Sequence, residues 1–428
     1  MTLVSKLWPL FLAAALLLAG NGLQGTLIAL RAQAEGFSTI EVGLMGTAYY
    51  LGFLGACWFA TGLIREVGHI RVFAALASLA AAAALMHVLA VYSGVWIVLR
   101  MLTGFCFAGL FMVMESWIND ATPNKHRAQT LSLYATVDMA TVTLSQFLIP
   151  AVGIDGFQIF ALLSIFFGIS LVPIALSSRS RPQLPSALKF KLTDIWLVSP
   201  IACIGCFAIG LTNSAFRLVG PLYATQVGLD VSGVAIFMSA GIIGGAVLLY
   251  PFGYLSDRFD RRWIMIVASL GACAAGLYLA LSQPAEFNAL YAGAFCFGAF
   301  ALPLYSLSVA HANDRVKTGQ HLGISAGLLF FFALGASLGP SVASLVMRLF
   351  DAYAFFTFTS TVHGLLAIAA FWRMVRRPHI VLPTRAGFVA LLRTSPMFYR
   401  LAHRPRSEKM EAGAGASPNN TNGDKETA

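Results

Sequence analysis

Gly253-Tyr254-Leu255-Ser256-Asp257-Arg258-Phe259-Asp260-Arg261-Arg262 lies between two long apolar runs and reads G-x-x-x-D-R-x-x-R-R. Lys and Arg are costly inside a bilayer and are retained on its cytoplasmic side. A tight basic cluster between two apolar runs therefore marks a short loop at that surface. A second copy lies in the first half in decayed form: Gly62-Leu63-Ile64-Arg65-Glu66-Val67-Gly68-His69-Ile70-Arg71. Glu66 stands there for the Asp, and Val67 for the first Arg.

The composition fits a chain that lives in lipid. Of 428 residues 58% are hydrophobic and 11% charged, against about 45–50% and about 25% in soluble domains. A spanning helix needs about 20 apolar residues, so the reading is an all-α polytopic membrane protein of twelve spans. They are predicted at 7–31, 40–62, 70–92, 95–118, 129–152, 157–177, 196–219, 231–252, 263–281, 288–310, 321–347 and 353–374. The net charge of +10 would suit nucleic acid, but the basic residues sit in short loops and a tail, so no nucleic-acid partner is expected. All six cysteines fall in predicted spans. Cys203 and Cys206 form a C-x-x-C whose place inside lipid suits packing better than redox or zinc chemistry, and neither disulfides nor metal are expected. The start, Lys6 and an apolar run to Gly20, imitates a signal peptide but has a counterpart at the head of the second half.

Loop charge sets the orientation. Arg65 and Arg71, Lys125 and Arg127, Arg179 and Lys189, Arg258, Arg261 and Arg262, and Arg315 and Lys317 fall in alternate loops. Both termini are therefore placed in the cytoplasm. The halves repeat: Asp155 to Pro182 aligns without a gap on Asp351 to Pro378, Phe105-Cys106-Phe107 matches Phe295-Cys296-Phe297, and the offset pairing Gly36 with Gly228 also pairs Asn21 with Asn213. The expected division is a six-helix bundle over 1–177, a basic linker over 178–194, a second bundle over 195–377 and a largely disordered cytoplasmic tail over 378–428. Residues 384–406 mix aromatics with arginines, a composition that suits an anionic lipid surface as well as a mobile tail.

The informative residues are polar ones inside the membrane, where a charge at a helix centre costs on the order of 2.5–3.5 kcal/mol on insertion scales. Asp138, two turns into span five, shares a helical face with Tyr134, Thr141 and Ser145 and could exchange a proton with a cavity; a structural hydrogen bond is the plainer role. Arg100 in span four has the same two sides, since an arginine near a helix end can snorkel to headgroups. Glu115, at the inner end of span four, could anchor that end to Lys125 or Arg127 as a gate, or stand in the substrate and proton pathway. His363 in span twelve stands opposite Phe167 in the repeat and is a candidate for the substrate and proton pathway, though a lone histidine is more often structural than a proton relay. Asn21 and Gln24 lie three apart on span one, and Asn213 and Arg217 four apart on span seven, so each pair is placed on one face.

The loop pattern resembles the signature of the major facilitator superfamily (MFS), the twelve-helix secondary transporters, and departs from it where His69 and Asp260 stand for its usual Gly. Arg100-Met101-Leu102-Thr103-Gly104-Phe105-Cys106-Phe107-Ala108 resembles its R-x-x-x-G-x-x-x-A signature, whose arginine is linked to proton handling. Glu115-Ser116-Trp117-Ile118-Asn119 is similar to the YcaD-like bacterial branch. The resemblance implies two pseudo-symmetric six-helix bundles with spans one and seven beside a central cavity, so Asn21, Gln24, Asn213 and Arg217 become candidates for substrate contact. It implies that Asp257 pairs with Arg258 and Arg262 to latch the cytoplasmic side, with Gly62, Glu66, Arg71, Gly253 and Arg261 as parts of the two loops. It implies alternating access for a small solute, the proton as coupling ion, no cofactor, a monomer and the inner membrane. A non-transporting sensor of the same fold is the alternative. Gly335-Ala336-Ser337-Leu338-Gly339-Pro340 in span eleven reads as a site of close helix packing. An enzyme is not expected: no metal-spaced His/Asp/Glu set, G-x-S-x-G or phosphate-binding loop occurs.

Overall fold

A computed structural model describes residues 3–122, 126–175, 192–284, 286–315, 321–376 and 388. Among these residues, twelve helices are long and apolar enough to cross a membrane: Leu7–Ala34, Thr39–Val67, His69–Leu89, Ser93–Ile118, Ser132–Val152, Gln158–Ala175, Pro200–Gln226, Val231–Arg258, Arg261–Leu281, Phe287–Asn313, Ala326–Leu349 and Ala354–Arg376. They are numbered here as spans one to twelve. An even number returns the chain to one side, so Leu7 and Arg376 mark a near face and the loop around Gly36 a far face. The linker predicted over 178–194 lies outside the described residues except for 192–194, and the tail over 378–428 does so except for Phe388.

Span seven departs from the expected 196–219. Trp196 and Leu197 belong to a short helix, Leu192–Val198, and a new one starts at Pro200 because Ser199 caps the Ala202 amide. Proline at the first turn loses no hydrogen bond there. The shift places Arg217 well inside the span and not at its outer end. Proline also breaks two spans. Pro150 cannot donate to Gln146, and span five gives way at Phe147; Pro303 divides span ten into Phe287–Ala301 and Leu304–Asn313.

The repeat read in the sequence is present in the backbone. Gly36 and Gly228 both take positive φ, +78° and +96°, a region that favours glycine. Two residues later a side chain caps the next span: Ser38 in a capping box with Glu41, and Asp230 on the Gly233 amide. Spans three and nine begin and end at positions separated by that same offset.

Two six-helix bundles result, meeting along spans one and seven, two and eleven, and five and eight. Small residues permit the closest approaches. Any Cβ on Gly43 or Gly46 in span two would collide with Ser344 or Pro340 in span eleven, and one on Gly335 or Gly339 with the Phe207 or Leu211 carbonyl in span seven. Packing thus explains the glycines of span eleven. Towards the far face, Thr225 donates to Gln33 across the bundles at 2.5 Å and Thr47 meets Ser341 at 2.7 Å. Towards the near face, Ser132 meets Tyr250 at 3.0 Å.

Candidate functional site

Between the bundles lies a cavity with about 1170 Å³ of empty space, open solvent included. Spans one, two, four and five line it from one bundle and spans seven, eight and eleven from the other. Five of the eight membrane-embedded candidates reach it: Asn21, Arg100, Asp138, Asn213 and Arg217.

Arg100 is two turns inside span four and 2% exposed, so it does not snorkel. Its position follows from Gly104, one turn on, where any Cβ would strike the Tyr49 carbonyl. Spans two and four therefore touch backbone to backbone, and the Arg100 guanidinium lies over the Tyr49 ring at 4.5 Å. Its Nε and Nη1 are buried with no hydrogen-bond partner. A desolvated cation–π contact is worth about 2 kcal/mol, less than the several kcal/mol that burying a charge costs. The side chain is held at a loss by the protein alone. The Tyr49 hydroxyl donates to Asn21 Oδ1 at 2.8 Å, and Arg100 and Arg217 both act electrostatically on Tyr49. Arg217 lines the same cavity from the opposite bundle.

Span five presents Asp138, Met139, Val142 and Gln146 to the cavity. The expected stripe of Tyr134, Thr141 and Ser145 is rotated away from it: Ser145 bonds back to the Val142 carbonyl and Tyr134 is buried. Gln146 escaped the sequence reading. It accepts from Thr26 at 2.7 Å and donates to the Gly22 carbonyl at 3.2 Å, tying span five to span one. Tyr49, Tyr50 and Thr26 were missed as well. Tyrosines and threonines are common in apolar helices, and only the contact partner distinguishes these.

Three candidates lie outside the cavity lining. Gln24 is fully buried with neither amide atom hydrogen-bonded; three residues along a helix rotate it off the face that presents Asn21. His363 is fully buried at the edge of the Phe297 ring, 5.7 Å between centroids, with both nitrogens unpartnered. Glu115 is fully buried and acts with Asp138 on Tyr134. Lys125 lies outside the described residues, as does the side chain of Arg127.

The loop signature is built differently from the expectation. Asp257 does not pair with Arg258 or Arg262. Its side chain is 40% exposed and meets Arg261 one turn on, at 3.2 Å. Arg258 lies over the Tyr254 ring at 4.2 Å. Arg262 turns to Asp260 at 2.8 Å, because Asp260 already faces it as the cap of span nine. Arg261 runs inward to Asp314, a residue outside the loop signature. The Phe388 amide donates to both Asp257 oxygens, at 2.9 and 3.0 Å, and its ring covers Gly253 where a Cβ would stand. In the first copy Gly62, Glu66 and Arg71 are exposed. His69, in place of glycine, is buried against Trp117 at 5.9 Å and Ser116 at 3.4 Å, which gives the Ser-Trp pair of span four a structural task.

Among the described residues no His/Cys/Asp/Glu group could hold a metal. The chain is 25% identical to the "Uncharacterized MFS-type transporter YcaD" of Escherichia fergusonii over 351 residues, 81% of this chain and 88% of the relative. It is 26% identical to an uncharacterized MFS-type transporter of Enterobacter sp. over 333 residues, 76% and 84% of the two chains. Among solved structures it resembles the nucleoside transporter NupG, with a TM-score of 0.71 at 14% identity over 88% of this chain and all of that one. It also resembles a bacterial homolog of the human lysosomal transporter Spinster, with a TM-score of 0.65 at 15% identity over 94% and 97%. At such identities these likenesses concern the fold. The sequence profile of the Major Facilitator Superfamily matches residues 10–198 and 202–406. The chain is a member of the Major Facilitator Superfamily of membrane transporters, and not an enzyme.

Proposed function

We propose that this protein moves a small solute across the membrane by alternating access, driven by protons. The carrying observation is the central cavity: polar and charged side chains from both bundles converge on it, in a setting where each is costly. Rocking of one bundle against the other about such a midplane site exposes it to each side in turn. Asn21 and Asn213, repeat counterparts on spans one and seven, supply matched hydrogen-bonding groups from the two halves. Asp138 is the proton carrier. It lines the cavity on span five, so its carboxylate can meet water from whichever side is open. The near face is cytoplasmic, since the arginines of both loop signatures lie there, and the inner membrane is the site of action. Arg261 and Asp314 fix the near end of the second bundle.

Reconstituted protein tests this. Liposomes loaded with single solutes from a metabolite panel should show counterflow for one class, and an inward proton gradient should drive its accumulation. Counterflow of nothing, across a panel of sugars, amino acids, organic acids and nucleosides, would reject the transport reading.

A further inference from the structure

We infer that the central cavity selects an organic anion, gripping its acid group between Arg100 and Arg217 while its apolar body lies on the aromatic wall. The inference rests on the proposed transport reading and names the substrate class of that same cavity.

Arg100 carries the argument. It lines the cavity, is 2% exposed, and keeps Nε and Nη1 without any hydrogen-bond acceptor. The Tyr49 ring beneath it offers π charge only. A guanidinium in that condition lacks the planar two-oxygen partner its fork is built to take. Arg217 enters from the other bundle, and among the described residues neither arginine pairs with a carboxylate. The charged lining residues are two guanidinia and one carboxylate, Asp138. The cavity therefore carries an excess positive charge with Asp138 ionised and a larger one with it protonated. A monoanion is complementary in the first case, and proton binding at Asp138 strengthens the hold in the second. The lining also includes Phe53, Phe111, Phe216 and Phe332 with Met139 and Met238, apolar surface suited to an aromatic or alkyl body.

The sources of an acid group are separable by experiment. Purified full-length protein in detergent is titrated with sodium 3-phenylpropanoate, indole-3-acetate, octanoate and phenylphosphonate. Each carboxylate is compared with its amide, and 3-phenylpropanoate also with 3-phenylpropylamine and phenylalanine. A ligand of the folded state raises the unfolding midpoint. The expected result is a dose-dependent rise with at least one acid and none with its neutral or cationic congener. R100Q and R217Q should each weaken that binding by about thirtyfold or more, and R100K should retain part of it. R100M should raise the midpoint of the ligand-free protein while abolishing the response. If R100Q fails to fold, R217Q and R100K carry the comparison. An equal response to acid and amide, a response only to the amine or to phenylalanine, no response to any acid, or unchanged binding in R217Q and R100Q would each overturn the assignment. Failure of the transport reading looks different: the acid binds through the arginines, but preloaded liposomes show no counterflow of it.

Discussion

Arg261, the first residue of span nine, reaches Asp314 at the near end of span ten, Nε to Oδ2 2.9 Å, with side chains 1% and 3% exposed. One turn before it, the same arginine meets Asp257, a carboxylate 40% exposed. One guanidinium thus joins a sealed partner and a wet one. Breaking a buried pair costs about 3–5 kcal/mol, whereas an exposed pair is worth about 0–1 kcal/mol.

Asp314→Asn should therefore lower the thermal midpoint of the detergent-purified protein sharply, by the equivalent of about 3–5 kcal/mol. Asp257→Asn should leave it within about 1 kcal/mol of the parent and insert normally, yet slow transport. Equal midpoints for the two variants would show that the inner pair is not the stabilising one, and normal transport by Asp257→Asn would remove the loop from the transport cycle.

Phe388 tests the same loop from the other side. Its amide holds Asp257 and its ring covers Gly253. Phe388→Ala, which keeps the amide, should change transport less than Phe388→Pro, which removes it. Identical rates in both variants would dismiss the amide contact.

Gly104→Val should be among the most damaging single changes in the first bundle. Overpacking of this kind costs about 1–3 kcal/mol, and here the obstacle is the Tyr49 carbonyl itself. Circular dichroism melting gives the stability change, and the anion titration shows whether Arg100 still lies over Tyr49. A wild-type midpoint would contradict the close approach of spans two and four.

Much of this was legible beforehand, for physical reasons. Span number follows from hydrophobic length, and the repeat from paired landmarks such as Gly36 and Gly228, whose positive φ only glycine takes without strain. Which face a polar residue presents was harder. Gln24 and Asn21 sit three apart, yet only Asn21 meets the cavity, and in span five the lining stripe runs through Gln146 and not Ser145. Helical spacing relates residues to each other but does not say where a neighbouring helix stands. Asp260 read as a departure from the loop pattern because its cap and its arginine are seen only in three dimensions.

His363 supplies a control outside the cavity. Both its nitrogens are buried and unbonded, and an unsatisfied buried polar group costs about 1–3 kcal/mol. Replacement by phenylalanine, the residue at the matching repeat position Phe167, should raise the midpoint and leave transport unchanged. A transport defect in a stable His363→Phe protein would return this histidine to the solute pathway.

Asp138→Asn separates coupling from movement. Counterflow should persist, because exchange needs no net proton transfer, while accumulation driven by a proton gradient should vanish. Retained accumulation would assign the proton to another group, with Glu115 next to be tested.

The most direct measurement concerns Asn213, which lines the cavity from span seven. A cysteine is placed there after the six native ones are replaced, and a membrane-impermeant thiol reagent is applied to right-side-out and to inside-out vesicles. Alternating access predicts labelling from both sides, with saturating solute changing the balance between them. Labelling from one side only, with or without solute, would contradict it.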